Sequence, residues 1–409
     1  MSTLTPLTIH RSQVQPLDLA SLPAEPVDGL YVHVPFCFHK CHYCDFYSIT
    51  HQTEDRMDRF VDRLLTEAKF WVDRYPITVA PRTIFFGGGT PTLLPLPQMA
   101  RLLSGLSRVF DLTGIDEWTV EANPATVTND YCHMMRDHGV NRLSFGAQSF
   151  NPAELATLER HHDPTDVERS VAIATAAGFK RLNVDLIYAV PGQSLASWAT
   201  SLDAAIALGT SHISAYALTY EPNTPMAVKK RLGTIVAAEE SLEIDMMRHA
   251  RSRLTQAGLA AYEISNYAAH GQECRHNLMY WTGGNYVSLG PSASAHTGGV
   301  RWKNRPHLGE WESAIDAGHL PATDVERLSP ETRAGELAML MLRLSGGINF
   351  DVYTTRTGRD ARRQFHDIVA RFAPVGLLEQ TDNTIRLTPA GLSVADALAS
   401  EFLQASNTV

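Results

Sequence analysis

The chain has 409 residues, 44% of them hydrophobic and 19% charged, with a formal net charge of -9, enough to bury a large core and to hold about two domains. No block of like charge and no basic excess occurs, so neither a nucleic-acid surface nor a polybasic membrane patch is expected. No apolar run reaches membrane-spanning length, and the chain reads as soluble, with no transmembrane segment.

Residues 1–28 are rich in Pro, Ser and Leu and lack an apolar h-region, so they read as an N-terminal extension rather than a signal peptide. Five cysteines, an odd number, without a secretory signal point to reduced thiols and a cytoplasmic location. Residues 30–34 form an apolar strand-like run. Directly after it come Cys37, Cys41 and Cys44 in C-x3-C-x2-C spacing, close enough for three thiolates to hold one metal centre. A [4Fe-4S] cube normally takes four cysteines, so a cube here would keep one iron free for a small molecule. Zinc is the rival, with His33, His39 or His42 as fourth ligand. Structural zinc sites, however, usually draw paired ligands from two separated segments, and no second C-x2-C or H-x3-H pair exists.

Downstream, Met57, Phe60, Val61, Leu64, Leu65, Ala68, Trp71 and Val72 recur at spacings of three and four, which predicts an amphipathic helix ending at Tyr75-Pro76. Strand-like runs at 83–86, 118–120, 142–145, 181–188 and 212–218 then alternate with helix-like runs at 98–110, 130–138, 167–177 and 198–208. Six strands, each followed by a helical stretch, predict a parallel sheet, either doubly wound or closing into a barrel. The unusual residues fall just past five of the strands, the cysteine loop, Gly87-Gly88-Gly89-Thr90-Pro91, Glu121, Gln148 and Glu221, with strand five carrying Asp185 and ending in Tyr188-Ala-Val-Pro-Gly192. One shared mouth at the C-terminal strand ends favours an α/β fold of the partial (β/α)6 TIM-like barrel type over a sheet with a single crevice.

The glycine triplet is no phosphate loop, because no Lys follows; it is suited to bring backbone close to a ligand amino group, with Thr90 as a hydroxyl partner. Cys132 and the Met-rich run 242–254 read as core, and Cys274 as a buried thiol. Residues 301–329 read as a connector. Residues 330–409, with helices at 330–344, 361–372 and 389–403 and a hairpin at 377–387, predict a small C-terminal winged-helix-like α+β domain without a basic stripe.

The ordered set Y-x-H-x-P-F-C-x3-C-x2-C, GGGTPT, E-x-N-P, GAQSF and N-x-D-L-I-Y-x-x-P-G resembles the radical S-adenosylmethionine (SAM) superfamily, over roughly residues 28–300. Within it the chain resembles the branch containing oxygen-independent coproporphyrinogen III oxidase and its heme-chaperone relatives, the HemW family. The resemblance implies a [4Fe-4S] cluster on Cys37, Cys41 and Cys44, its open iron chelated by the amino and carboxylate groups of SAM. It places Tyr31 and the backbone at Tyr43 beside the cofactor, Gly88, Gly89 and Thr90 at its methionine part, and Glu121, Gln148, Arg160 and Asp185 around the rest. A carboxylate suits ribose hydroxyls and a guanidinium suits the methionine carboxylate.

Two departures separate the chain from the oxidases: Cys44-Asp45-Phe46 stands where they carry C-x-C, and only about thirty residues precede the first strand. His276, Asn277, Tyr280 and Trp281 form an H-N-x-x-Y-W motif resembling that of the heme chaperones. An imidazole is a good axial ligand to heme iron, and the aromatic rings offer flat apolar faces to a porphyrin. The alternative at these residues is a buried aromatic cluster with a hydrogen-bonded histidine. The expected function is therefore a heme chaperone that binds a [4Fe-4S] cluster, SAM and heme and delivers heme to an acceptor protein, with no catalytic residue assigned. Two other readings stand beside it: a radical enzyme oxidising a porphyrinogen, and a metal-stabilised barrel that only binds a partner. Peripheral membrane contact through a partner stays open.

Overall fold

The computed structural model describes residues 17–405 of the chain, so residues 1–16 of the expected extension lie outside the described residues. From residue 17 the chain already packs on the core through Leu17, Leu19 and Leu22.

Strands and helices then alternate: β1 (Gly29–Val34), α1 (Glu54–Arg74), β2 (Thr83–Gly88), α2 (Leu96–Val109), β3 (Glu117–Ala122), α3 (Asn129–Asp137) and β4 (Arg142–Gln148). After them come α4 (Pro152–Thr157), α5 (Pro164–Ala176), β5 (Arg181–Tyr188), α6 (Leu195–Ala207) and β6 (His212–Ala217). Strands β1 to β6 pair in parallel in chain order, as expected of a partial barrel. Beyond them lie α7 (Pro225–Arg231), α8 (Glu240–Gln256), β7 (Ala260–Ala261), β8 (Asn266–Ala268), α9 (Arg275–Trp281), β9 (Tyr286–Leu289), β10 (Ser294–Thr297), β11 (Val300–Asn304), α10 (Leu308–Asp316) and β12 (Ala322–Arg327). The sheet order is β12-β11-β10-β9-β1-β2-β3-β4-β5-β6-β8-β7, and its two edge strands do not pair, so the sheet is open.

Alternation along each strand sends successive side chains to opposite faces. Val32, Phe86, Val120 and Leu143 lie in register and fully buried on one face. The opposite face carries Tyr31, Phe85, Thr119 and Arg142 in one row, and Ser144, Asn183 and His212 in the next. Helix α1 covers the sheet with six of the eight residues of the expected stripe: Met57, Phe60, Val61, Leu64, Ala68 and Trp71 are buried, each large side chain contributing about 1.5–3 kcal/mol, while Leu65 is half-buried and Val72 exposed. Thr53 caps its start, accepting from the N–H of Arg56 at 3.3 Å, and Tyr75-Pro76 ends it.

The expectation of a connector at 301–329 is corrected: this stretch folds as most of β11, then α10 and β12, and extends the large sheet. Its physical reasons are the burial of Trp302, Leu308, Trp311 and Ile315 in the main core and a buried carboxylate. Glu67 of α1, wholly enclosed, accepts from Gly290 N at 2.8 Å, Asn304 Nδ2 at 2.8 Å and Trp311 Nε1 at 3.0 Å. Leaving such a group unpaired in the interior is costly, so the segment is tied down onto α1. Burial pushes the Glu67 carboxyl up to about 8 despite the three donors.

The C-terminal region holds α11 (Pro330–Met341), β13 (Ile348–Asn349), α12 (Phe350–Thr357), α13 (Ala361–Gln364), α14 (His366–Phe372), β14 (Leu378–Gln380), β15 (Thr384–Leu387) and α15 (Ala395–Ala405). The hairpin forms as expected and β13 adds a third antiparallel strand. A separate apolar cluster including Leu337, Phe350, Tyr353, Phe365 and Phe402 lies at its centre. Helix α12 escaped the sequence reading, and the single helix expected at 361–372 is two short ones.

Candidate functional site

The loop after β1 is closed at its base by a two-sided backbone clip: Cys37 N donates to Ile49 O at 3.0 Å and Ile49 N to Pro35 O at 2.7 Å. His33 secures it from below. Its Nε2 lies 2.9 Å from Tyr47 O, which as a carbonyl only accepts, so Nε2 carries the proton and Nδ1 accepts from Tyr31 Oη at 3.2 Å. Burial holds the His33 imidazole down at about 4, hence neutral. Within the loop Cys37, Cys41 and Cys44 are all half-buried free thiols, as they must be to share a metal centre. Burial pushes the Cys37 thiol up and that of Cys44 up to about 11, and a cation bound among them would favour the thiolates.

The glycine triplet makes room for this loop. A Cβ on Gly88, whose φ is +104°, would meet the His33 ring at 2.6 Å, and one on Gly89 would meet Phe36 O at 2.6 Å. Gly89 N donates to Val34 O at 2.8 Å and Thr90 N to Phe36 O at 2.7 Å, so the turn is laced to the first strand and the cysteine loop. The Thr90 hydroxyl lies 3.9 Å from Cys37 Sγ.

The cavity above these turns measures about 600 Å³, and its walls include the three cysteines, Tyr43, Gly88, Gly89, Thr90, Glu121, Gln148, Arg160 and Asp185. The sequence-predicted set thus converges on one mouth at six strand ends, except for Tyr31, which lies behind the wall and stacks on Phe85 at 6.4 Å. Gln148 reaches its place through a left-handed backbone (φ +66°) at a β4 bulge. Arg160 has a donor to spare for a ligand. Its Nη2 donates to Gly146 O, its Nη1 lies 3.8 Å from Cys41 Sγ, and its Nε is buried without an acceptor among the described residues. A ligand carboxylate would satisfy that N–H. Across the cavity, burial and the nearby Asp185 push the Glu121 carboxyl up to about 8. Asp185 is raised by burial too, against donors Ser144 and Asn183 at 2.9 and 2.8 Å. Two desolvated carboxyl groups facing one cavity fit a ligand with hydroxyls and positive charge.

Sequence reasoning missed Ser144, Asn183 and Ser214, which orient Asp185, and Glu117. For three of them the signal was strand parity, since Glu117, Ser144 and Asn183 each stand an even number of residues before Glu121, Gln148 and Asp185 on the same strand, whereas Ser214 lies on β6, which carries no predicted site residue. Asn183 in turn holds His212 at 2.6 Å and Ser214 at 3.2 Å.

His276, Asn277, Tyr280 and Trp281 lie on α9, away from the cavity wall. Glu117 builds the start of this helix, its carboxylate accepting from Arg275 N and His276 N at 3.1 Å each, from Cys274 Sγ at 3.3 Å and from Arg142 Nε at 3.0 Å. A carboxylate there satisfies first-turn N–H groups that Cys274 does not cap. His276 is fully enclosed, with Nδ1 2.9 Å from Thr83 Oγ1, Nε2 2.8 Å from Tyr280 Oη and its ring stacked on Phe85 at 5.3 Å. Burial lowers it to about 3, so it is neutral. Asn277 donates to Tyr262 Oη at 3.4 Å, and Arg343 covers the Trp281 ring at 4.8 Å. In this arrangement both His276 nitrogens are engaged, so the motif takes the buried-cluster form. Cys274 and Cys132 are buried thiols, as expected.

Comparison with known proteins gives the same direction. Residues 31–205 match the family described as the Radical SAM superfamily, and residues 328–394 the HemN C-terminal domain. Curated relatives named "Heme chaperone HemW" include those of Mycobacterium tuberculosis (strain CDC 1551 / Oshkosh), 34% identical over 97% of this chain and 100% of the relative, and of Bacillus subtilis, 31% identical over 91% and 98%. The Escherichia coli relative of that name is 39% identical over 66% of this chain and 70% of its own. Coproporphyrinogen III oxidase (HemN) from Escherichia coli, a radical SAM enzyme, superposes with a TM-score of 0.81 over 94% of this chain and 92% of that one, at 22% identity, which shows the shared fold. The chain belongs to the HemW family of the radical SAM superfamily.

Proposed function

We propose that the protein is a heme chaperone: it holds a [4Fe-4S] cluster on Cys37, Cys41 and Cys44 and SAM in the cavity above them, binds heme, and delivers it to an acceptor protein. The observation that carries the cofactor part is the cavity itself, where three free thiols, an Arg160 N–H without an acceptor and two desolvated carboxyl groups meet. When bound, the cluster would supply one-electron reducing power, and its iron left without a cysteine would be open to the amino and carboxylate groups of SAM. The chain's own groups do the rest. Gly88, Gly89 and Thr90 offer backbone and hydroxyl contacts beside that iron, Arg160 takes the ligand carboxylate, and Glu121, Gln148 and Asp185 hold hydroxyls and positive charge. Tyr31 supports the wall through His33, and Tyr43 flanks the ligand.

Heme comes to this reading from the relatives' name, and we assign its contacts to His276, Asn277, Tyr280 and Trp281. Because Thr83 and Tyr280 occupy both His276 nitrogens, iron ligation there requires α9 to open from β2. Its neutral imidazole is the ligating form. The unpaired thiols and an oxygen-labile cluster suit the cytoplasm, and no helix among the described residues is long and apolar enough to cross a membrane. In this reading residues 29–300 carry the cofactors and 330–409 form the second unit, a docking or covering surface. Anaerobic reconstitution of the parent and of Cys41→Ser tests the cofactor part: four irons and four sulfides in the parent and loss of the brown chromophore in the variant are expected. An unchanged iron and sulfide content in the variant would remove the cluster assignment.

A further inference from the structure

At the rim of the cavity, outside the cysteine set, His39 of the cysteine loop meets Glu159 and His161 of the turn that follows α4. His39 Nε2 lies 3.7 Å from Glu159 Oε2, and His161 Nε2 lies 3.9 Å from the same oxygen. The two rings sit with centroids 4.5 Å apart. One ligand atom from each of the three residues falls within 4.8 Å of the others.

These separations are too long for hydrogen bonds. They are close to those of donors around a single ion: ligand atoms at the usual zinc distances lie about 3.4 Å apart in a tetrahedron. Glu159 is brought there by a left-handed backbone, φ +56°, unusual for a residue with a side chain. A fourth group, His42, has its Nδ1 3.6 Å from Glu159 Oε1 but also 2.9 Å from Lys229 Nζ. An ammonium only donates, so that nitrogen of His42 is an acceptor engaged by lysine and stands apart from the set. His161 and His39 are open to solvent, which leaves an entry path and room for water ligands.

We propose that His39, Glu159 and His161 form a second metal site, for a divalent transition-metal ion of the zinc or ferrous class, distinct from the three cysteines. Two imidazoles and one carboxylate are the donor set that such ions take when they keep open positions. An ion there ties the cysteine loop to the turn carrying Arg160, whose guanidinium reaches Cys41, and so fastens one edge of the cavity mouth. This goes beyond heme handling and requires no cluster chemistry.

The test is a titration of cluster-loaded protein with zinc, and with cobalt(II) as the spectroscopic probe, on the parent, His161→Ala and Glu159→Gln. The parent is expected to take up one zinc beyond its cluster iron. Its cobalt form should show ligand-field bands without the intense sulfur-to-cobalt charge transfer of a thiolate site. Each substitution should weaken zinc at least 100-fold while iron, sulfide and melting temperature stay as in the parent. Running the same titration on Cys41→Ser keeps the site readable when the cluster is lost, so the two assignments fail separately. Equal zinc affinity in the parent and both variants, zinc uptake only in exchange for cluster iron, or thiolate charge transfer in the cobalt spectrum would each overturn the proposal.

Discussion

Arg160 brings a guanidinium nitrogen to 3.8 Å from Cys41 Sγ while the carbonyl of Gly146 holds its other terminal nitrogen. One side chain thus joins the cysteine loop to the end of β4 and still has a buried N–H to give. Arg160→Met keeps the apolar stem and removes the donors. Losing hydrogen bonds from a charged group costs about 1.5–3 kcal/mol, so SAM should bind about 10- to 100-fold more weakly, with cluster iron unchanged. Anaerobic equilibrium dialysis with labelled SAM reads this directly. Unchanged affinity would put the ligand carboxylate elsewhere.

Gly89 is a steric requirement rather than a flexible joint. A methyl group there would stand 2.6 Å from Phe36 O, a backbone atom tied by the donation from Thr90 N. Gly89→Ala should therefore displace the cysteine loop, lower stability by about 1–3 kcal/mol and reduce reconstituted iron well below four per chain. A variant with full iron content and the parent's melting temperature would show that the loop yields freely.

The raised Glu121 carboxyl, at about 8 against an ordinary 4.5, sets a pH dependence. Burial favours the protonated form in the folded state, so its stabilising share is complete below the unfolded value and is lost as pH rises through about 8. Above about pH 6.5, where the buried His33 and His276 are neutral in both states, the melting temperature of the ligand-free protein should fall up to pH 8.5, and fall less in Glu121→Gln. Glu67, also raised to about 8, acts in the same direction and leaves a residual slope. Identical slopes in parent and variant, followed by calorimetry, would mean that Glu121 is ionised in the folded protein.

The strand ends were legible because chemistry is concentrated there: Cys37, Gly88, Glu121, Gln148 and Asp185 are unusual residues after apolar runs, and their convergence follows from parallel connections alone. The extension of the sheet was not. Strand β9 has four residues, and β10 to β12 mix polar with apolar residues. They pack through Trp302 and Trp311 against Trp71 and Phe60 of α1 and through the enclosed Glu67, bonded to groups more than two hundred residues away. His276 marks the other limit. Its motif is plain in the sequence, but the partners Thr83 and Phe85 belong to β2, a pairing that local spacing does not contain.

The most direct test of the heme reading is a heme titration of the anaerobically reconstituted protein, followed at the Soret band after gel filtration, with His276→Ala and Thr83→Val in parallel. Thr83→Val breaks the same hydrogen bond yet keeps the imidazole, so it separates loss of a ligand from loss of packing. The expected result is one heme retained per chain in the parent and in Thr83→Val, much less in His276→Ala, and transfer to an apo heme protein with no decarboxylation of coproporphyrinogen III. No retained heme in the parent, together with porphyrinogen turnover, would contradict the chaperone assignment.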